Sequence, residues 1–275
     1  MCRLVGIAGP SHQSELPSYR HLVSAPHSLR IQADHGNTIH PANPGHRDSW
    51  GIAWIDAEGR PSLLRETGSA SESPSYVFAA ETACRSNAVT GAGNVLIGHL
   101  RKAVAGEITA ENAHPFRVDT SAGTMFFAHN GHVREELLTS LRADLNAAGD
   151  SLGANADCDS QVIGHWIGHH IDPGANGHGI PDALREMLRR ANDLPDPYEA
   201  YTGLVLLMAL PDALYTLRHY SRYADYYTLY HRTDGPHAVV ASERTSDPEH
   251  WQLLDPGVLF RFPADGTPHT TWNVA

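Results

Sequence analysis

Residues 124–148 read TMFFAHNGHVREELLTSLRADLNAA, and they carry both kinds of secondary structure in one stretch. Thr124 to Ala128 is apolar and suits a buried strand. From Val133 to Ala148 the pattern changes: Val133, Leu137, Leu138, Leu141 and Leu145 recur at helical spacing, and Gly149 follows as a stop. The spacing therefore predicts a strand over 124–128 and a helix over 133–148. Between them stands His129-Asn130-Gly131, which has two readings. Asn-Gly is a favoured turn pair. An Asn side-chain NH₂ and a Gly backbone N–H can also converge on one developing oxyanion.

The same reading extends in both directions. Leu4 to Ala8 reads as a short buried strand ended by Gly9-Pro10. His35 to His46 is turn-rich and reads as a loop. Trp50 to Ile55 is strand-like, Ala57-Glu58-Gly59 a hairpin turn, and Leu63-Leu64 the start of the return strand. Tyr76 to Arg85 has helical spacing, and Asn94 to Leu100 reads as a strand. A helix is expected over 160–171, capped by Asp159 or Asp157, then a Gly/Pro-rich loop over 172–180, then a helix over Pro181 to Ala191. Gly203 to Ala209, Ala213 to Arg218, Tyr226 to Arg232 and Ala238 to Ser242 read as four strands, the first pair broken at Pro211-Asp212. Strands, then helices, then strands indicate an α+β fold in layers, and the chain reads as one domain over 1–275.

Composition narrows the partners. The formal net charge is −11 over 275 residues, and no Lys/Arg run offers a basic face, so nucleic acid is not expected. The first ten residues are broken by Gly6, Gly9 and Pro10. They are too short an apolar run for a signal peptide or a membrane span. Cys2, Cys84 and Cys158 are too few and too unevenly spaced for a disulfide framework, which suits a reducing, cytoplasmic setting. Small molecules or other proteins, including further copies of the chain, are the partners left.

Five residues, in four motifs, can carry chemistry. Cys2 would place a thiol beside a free α-amine once Met1 is trimmed, and an amine of near-neutral pKa can take the thiol proton. Asn130 and Gly131 are the oxyanion donors just described. Arg101, at a strand end in GHLRKAVAGE, can clamp a carboxylate with its two-pronged donor geometry, or lie solvated on the surface. Asp159, in DCDSQ, can bind an ammonium group or simply cap a helix.

Order and context join these signals. MCRLVGI, DSWGIAW, GHLRKA, NAHPF, FAHNGHV and DCDSQ follow one another as in class II glutamine amidotransferase domains, and the sequence resembles that family over nearly its whole length. With no fused synthase after the closing strands (VVASE, LLDPGVLFRF), it is most similar to the stand-alone branch that includes the γ-glutamyl amidohydrolase of ergothioneine biosynthesis. The resemblance implies an N-terminal nucleophile hydrolase fold, a four-layer αββα sandwich of two antiparallel sheets between helices. It implies that Cys2 attacks the amide of glutamine or a γ-glutamyl amide, with its own α-amine as base. Asn130 and Gly131 would hold the oxyanion, Arg101 the α-carboxylate and Asp159 the α-ammonium, with His129 at the substrate site. A γ-glutamyl thioester would form and water would release glutamate. No cofactor is implied. Gln161, Ser49 and Lys102 depart from the usual family pattern without removing a proposed catalytic group.

Three functions fit: a free-standing hydrolase, a glutaminase subunit feeding ammonia to a synthase on a separate polypeptide, and a non-catalytic binding module. Holding Cys2, Arg101, Asn130, Gly131 and Asp159 together speaks against the last. His165 and His169, at i, i+4 on one helical face, could bind a divalent metal. No third ligand is identified by spacing, so a solvated or packed His-rich helix is the expectation and no metal site is assigned.

Overall fold

The computed structural model describes residues 2–10, 17–39, 42–88, 93–103, 106–171 and 179–275. The first strand, β1 (Cys2–Pro10), is followed by a short helix α1 (Pro17–Tyr19), a π-helical turn (Arg20–Ser24) and α2 (Leu29–His35). A hairpin of β2 (Ser49–Ile55) and β3 (Pro61–Thr67), helix α3 (Pro74–Ala88) and β4 (Gly93–Arg101) complete the N-terminal part. Next come β5 (Phe116–Thr120), β6 (Gly123–Val133), α4 (Glu135–Ala148), α5 (Ser151–Ala154), α6 (Asp159–His169) and α7 (Gly179–Asn192). The chain closes with β7 (Tyr201–Leu210), β8 (Ala213–Tyr220), β9 (Tyr230–Asp234), β10 (His237–Ala241), β11 (Gln252–Leu253), β12 (Val258–Pro263) and β13 (Thr270–Asn273).

Two antiparallel sheets result. One has the order β11-β9-β10-β1-β4-β2-β3 and the other β13-β12-β8-β7-β6-β5. Side chains of a strand alternate between faces, and both sheets use that alternation to bury both faces. In β1 and β4, Leu4, Ala8, Val95 and Ile97 point between the sheets, where they meet Phe126, Ala128, Val205 and Leu207 of β6 and β7. Their neighbours Val5, Ile7, Leu96 and Leu100 pack outward with α2 and α3. On the far side, Met125 and Phe127 of β6 pack outward against α4, α6 and α7. The architecture is the expected αββα sandwich.

The structure departs from the sequence reading in five places. His129-Asn130-Gly131 is not a turn: β6 continues through it to Val133 and pairs Asn130 with Val205 and Gly131 with Leu204. The following helix therefore begins at Glu135, not Val133. His35 ends a helix rather than opening a loop. The strand expected at Tyr226 starts at Tyr230, because Tyr226 and Tyr227 belong to a buried turn whose amides bond the Tyr223 carbonyl. Asp159 does not cap α6 and instead reaches across to β6. Of the loop expected over 172–180, residues 172–178 lie outside the described residues.

Candidate active site

Parity brings the site together. Cys2 lies on the same face of β1 as Leu4 and Ala8, and Asn130 on the same face of β6 as Phe126 and Ala128. The two residues therefore meet between the sheets, at one end of the inter-sheet core. The Cys2 backbone N–H donates to Asn130 Oδ1 at 2.9 Å. An N–H can only donate, so this bond fixes which end of the carboxamide faces β1. Asn130 Nδ2 is thereby aimed elsewhere, and it is fully buried with no hydrogen-bond partner. An orphaned buried donor costs about 1–3 kcal/mol unless something pairs with it. The residues on either side of Asn130, His129 and Gly131, line the cleft that holds Cys2.

That cleft has about 380 Å³ of empty volume and is lined by Cys2, Arg101, His114, Gly131, Cys158 and Asp159, among others. Arg101 is the direct cross-strand neighbour of Cys2. Its guanidinium is buried, and Nη1 donates to the Glu107 carbonyl at 2.9 Å. Asp159 comes from the other sheet's side, at the start of α6. Its Oδ2 accepts the Val133 N–H at 2.9 Å and its Oδ1 the Ser160 N–H at 2.8 Å, with His132 Nδ1 3.7 Å from Oδ2. The carboxylate is thus anchored to β6 two residues past Gly131. One anion-binding and one cation-binding group border the same cleft as the thiol.

His129 was expected to touch the substrate. It lines the cleft, yet both of its ring nitrogens are spent on the protein: Nδ1 lies 3.0 Å from Ser160 Oγ and Nε2 3.1 Å from the Gly203 carbonyl. A carbonyl can only accept, so Nε2 carries the proton and Nδ1 accepts from the Ser160 hydroxyl. The ring braces β6 against β7 and the start of α6. Burial holds its pKa below the usual histidine value, partly offset by Asp159. Gly131 has a second reason to be glycine: a Cβ there would stand 1.8 Å from the Gly203 carbonyl oxygen on β7. Lys102 directs its ammonium to the carbonyls of Asn43 (2.5 Å) and Gly45 (3.3 Å), tethering the loop before β2.

Sequence reasoning missed Arg3. It is buried, donates from Nη1 to the Cys2 carbonyl at 2.9 Å, pairs with Glu243 and the Asn37 carbonyl, and lies over the Tyr226 ring at 4.6 Å. Glu243 also accepts from His27 Nε2 at 2.6 Å and from the Asn37 N–H at 2.7 Å. Burial alone would raise the Glu243 pKa, but His27, Arg3 and the Asn37 amide outweigh it and hold it below the ordinary glutamate value. The signal in the sequence is an Arg directly after Cys2 in an otherwise apolar strand. Cys158 is the second thiol of the cleft. Burial and Asp159 push it up to about 11, so it stays protonated near neutral pH. The His165–His169 pair is joined by Asp150: Oδ2 lies 2.7 Å from His165 Nδ1 and 3.1 Å from His169 Nε2. Among the described residues no set of three or more such side chains is arranged to hold a metal ion, and none of the helices is long and apolar enough to cross a membrane.

The family follows from comparison with known proteins. A model of the class-II glutamine amidotransferases matches residues 28–219, well over half of the chain, and the chain belongs to that family. It is 33% identical over 143 residues to the glutamine–fructose-6-phosphate aminotransferase of Mycolicibacterium smegmatis, covering 52% of this chain and 21% of that protein. It is 34% identical over 84 residues to the amidophosphoribosyltransferase of Methanothermobacter thermautotrophicus, covering 30% and 17%. The chain thus spans about a fifth of the length of these curated relatives. Among solved structures, the glutamine PRPP amidotransferase of B. subtilis superposes with a TM-score of 0.64 at 17% identity, over all of this chain and 49% of that one. A glutamine aminotransferase class-II domain protein from Silicibacter pomeroyi superposes with a TM-score of 0.58 at 18% identity over the full length of both chains. These likenesses establish the N-terminal nucleophile hydrolase fold.

Proposed function

We propose that this protein is an N-terminal-cysteine amidohydrolase that cleaves the γ-amide of glutamine or of a γ-glutamyl amide through a thioester on Cys2. The observation that carries the reading is the Cys2 N–H···Asn130 Oδ1 bond together with the buried, unpartnered Asn130 Nδ2. Once Met1 is removed, the Cys2 nitrogen is an amine beside its own thiol. It takes the thiol proton, directly or through water, as Sγ attacks the γ-carbonyl carbon. The oxygen becomes an oxyanion, and Asn130 Nδ2 and the Gly131 N–H stabilise it. The C–N bond then breaks as the ammonium returns its proton to the leaving amine. Water attacks the thioester, the amine takes up a proton again, and glutamate leaves with Sγ restored as thiol. Arg101 pairs with the α-carboxylate and Asp159 with the α-ammonium, while His129 keeps Asp159 and Asn130 in mutual register.

The first reading is a hydrolase that releases glutamate without a synthase. A second reading, a glutaminase subunit supplying ammonia to a separate synthase, is favoured by curated relatives that are transferases much longer than this chain. Glutamate release from glutamine and from a panel of γ-glutamyl amides, including thiol-histidine conjugates of the ergothioneine type, separates the two. A preferred conjugate with high kcat/KM supports the hydrolase. Weak turnover of glutamine alone, raised by a partner polypeptide, supports the subunit. Glutamate release unchanged in Cys2→Ala contradicts both.

A further inference from the structure

His114 is the one cleft-lining group whose polar atoms have no task so far. It is 3% exposed, borders the same cleft as Cys2, and neither ring nitrogen has a hydrogen-bond partner. Its position is built with care. In the first sheet, Ser49, Arg101 and Cys2 form one cross-strand row, and Gly51, His99 and Leu4 the row two residues deeper. The His114 ring stacks on His99 at 4.3 Å and contacts Phe116 at 4.4 Å. Its backbone lies so close to β2 that a Cβ on Gly51 would stand 2.1 Å from the His114 carbonyl oxygen. The glycine of the Trp-Gly pair is therefore what admits this histidine to the floor of the cleft. Desolvating two imidazole nitrogens without partners costs free energy, which a small polar molecule bound there would offset.

We propose that His114 is a positioning residue for the second half-reaction, holding the water that hydrolyses the γ-glutamyl thioester. This rests on the function proposed above. The imidazole accepts one hydrogen bond from the water while its other nitrogen keeps its hydrogen, and it fixes the oxygen in line with the thioester carbon. Water adds to that carbon, the C–S bond breaks, one water proton passes to the Cys2 amine, and the thiolate is then reprotonated by it. His114 does not take the proton. Burial, with His99, His129 and Arg101 close by, holds its pKa well below the usual 6.5, so the ring is neutral throughout the working range. A ring only 3% exposed suits a molecule as small as water, whereas the α-carboxylate is given to Arg101.

The test is partition of the thioester between water and hydroxylamine in wild type, His114→Phe and His114→Gln, with glutamine as donor. His114→Phe is expected to lower steady-state glutamate release about a hundred-fold, the scale of a misplaced reactant. The first turnover of ammonia should remain, giving a burst and a Cys2-bound glutamyl group visible by intact mass. Hydroxylamine, which needs no positioned water, should restore turnover as γ-glutamyl hydroxamate, and His114→Gln should regain part of the hydrolysis. Hydrolysis and hydroxamate formation falling together, with no burst and no accumulated adduct, would overturn the proposal by making His114 structural. If His114→Phe does not fold, the same ratio read in His114→Gln decides: an unchanged ratio overturns it, a shift toward hydroxamate supports it. A wild type that forms no hydroxamate at all overturns the thioester reading, and this inference with it.

Discussion

At the residue scale, the proposed mechanism has the carboxamide of Asn130 serve two ends of one reaction. Its oxygen accepts the Cys2 N–H, and its NH₂ is buried and unpaired. An oxyanion donor that is already desolvated and oriented needs no reorganisation when charge develops. Asn130→Ala is therefore expected to lower kcat by about 10²–10³, the effect typical of losing one such donor. KM should change little, since the donor matters most once the carbonyl oxygen bears charge; steady-state glutaminase assays read both. The two thiols of the cleft are likewise predicted to behave differently. Cys158 is held protonated by burial and by Asp159. Cys158→Ser should keep glutamate release within a few-fold of wild type, whereas Cys2→Ser should lose nearly all of it. Loss of activity in Cys158→Ser with intact folding would show that the wrong thiol has been given the chemistry.

At the scale of elements, the site depends on how closely β6 and β7 approach. Gly131→Ala would drive a methyl into the Gly203 carbonyl, a backbone atom that cannot swing away. Overpacking of this kind costs about 1–3 kcal/mol, so a chemical-denaturation midpoint should fall accordingly. Activity should fall further, because the strand that shifts carries Asn130. The same strand shows how far the sequence could be read. Helix α4 was legible because Leu137, Leu138, Leu141 and Leu145 repeat at helical spacing over a long run. The continuation of β6 through Asn130-Gly131 was not, because the local preference of that pair is for a turn. What overrides it is pairing with β7, more than 70 residues later. The anchoring of Asp159 was hidden for a similar reason: its partner is the amide of Val133 on another element. Helix α2 is too short for its three buried residues, Leu29, Gln32 and Ala33, to show a period. The partners of Arg3, namely Asn37, Tyr226 and Glu243, and the neighbours of His114 on β2 and β4 lie far away in sequence.

At the scale of the whole molecule, the two-sheet sandwich buries several histidines in their neutral form. Burial lowers His21 to about 4 and His46 to about 2, with the Asp234 contacts of His21 only partly opposing it. His99 and His114 are held well below 6.5 for the same reason. Their folded-state pKa values lie below the unfolded value of 6.5, so the unfolded chain binds more protons as pH drops. Stability is then fully present above pH 6.5 and lost as pH falls toward the folded values, at up to about 1.4 kcal/mol per histidine per pH unit. Denaturant midpoints should be flat between pH 7 and 8 and drop steeply between pH 6 and 4. A midpoint that holds constant down to pH 4 would mean that these rings are not buried neutral.

The proposed mechanism gives the chemistry to the amine and thiol of one residue, Cys2. It is tested most directly by intact and peptide mass spectrometry after exposure to a glutamine analogue carrying an electrophile at the γ position. Wild-type protein and Cys2→Ala would be treated side by side. One adduct per chain is expected, on Cys2, only in molecules that have lost Met1, blocked by glutamine and absent from Cys2→Ala. An adduct that forms equally on chains retaining Met1, or that maps to Cys158, would contradict it.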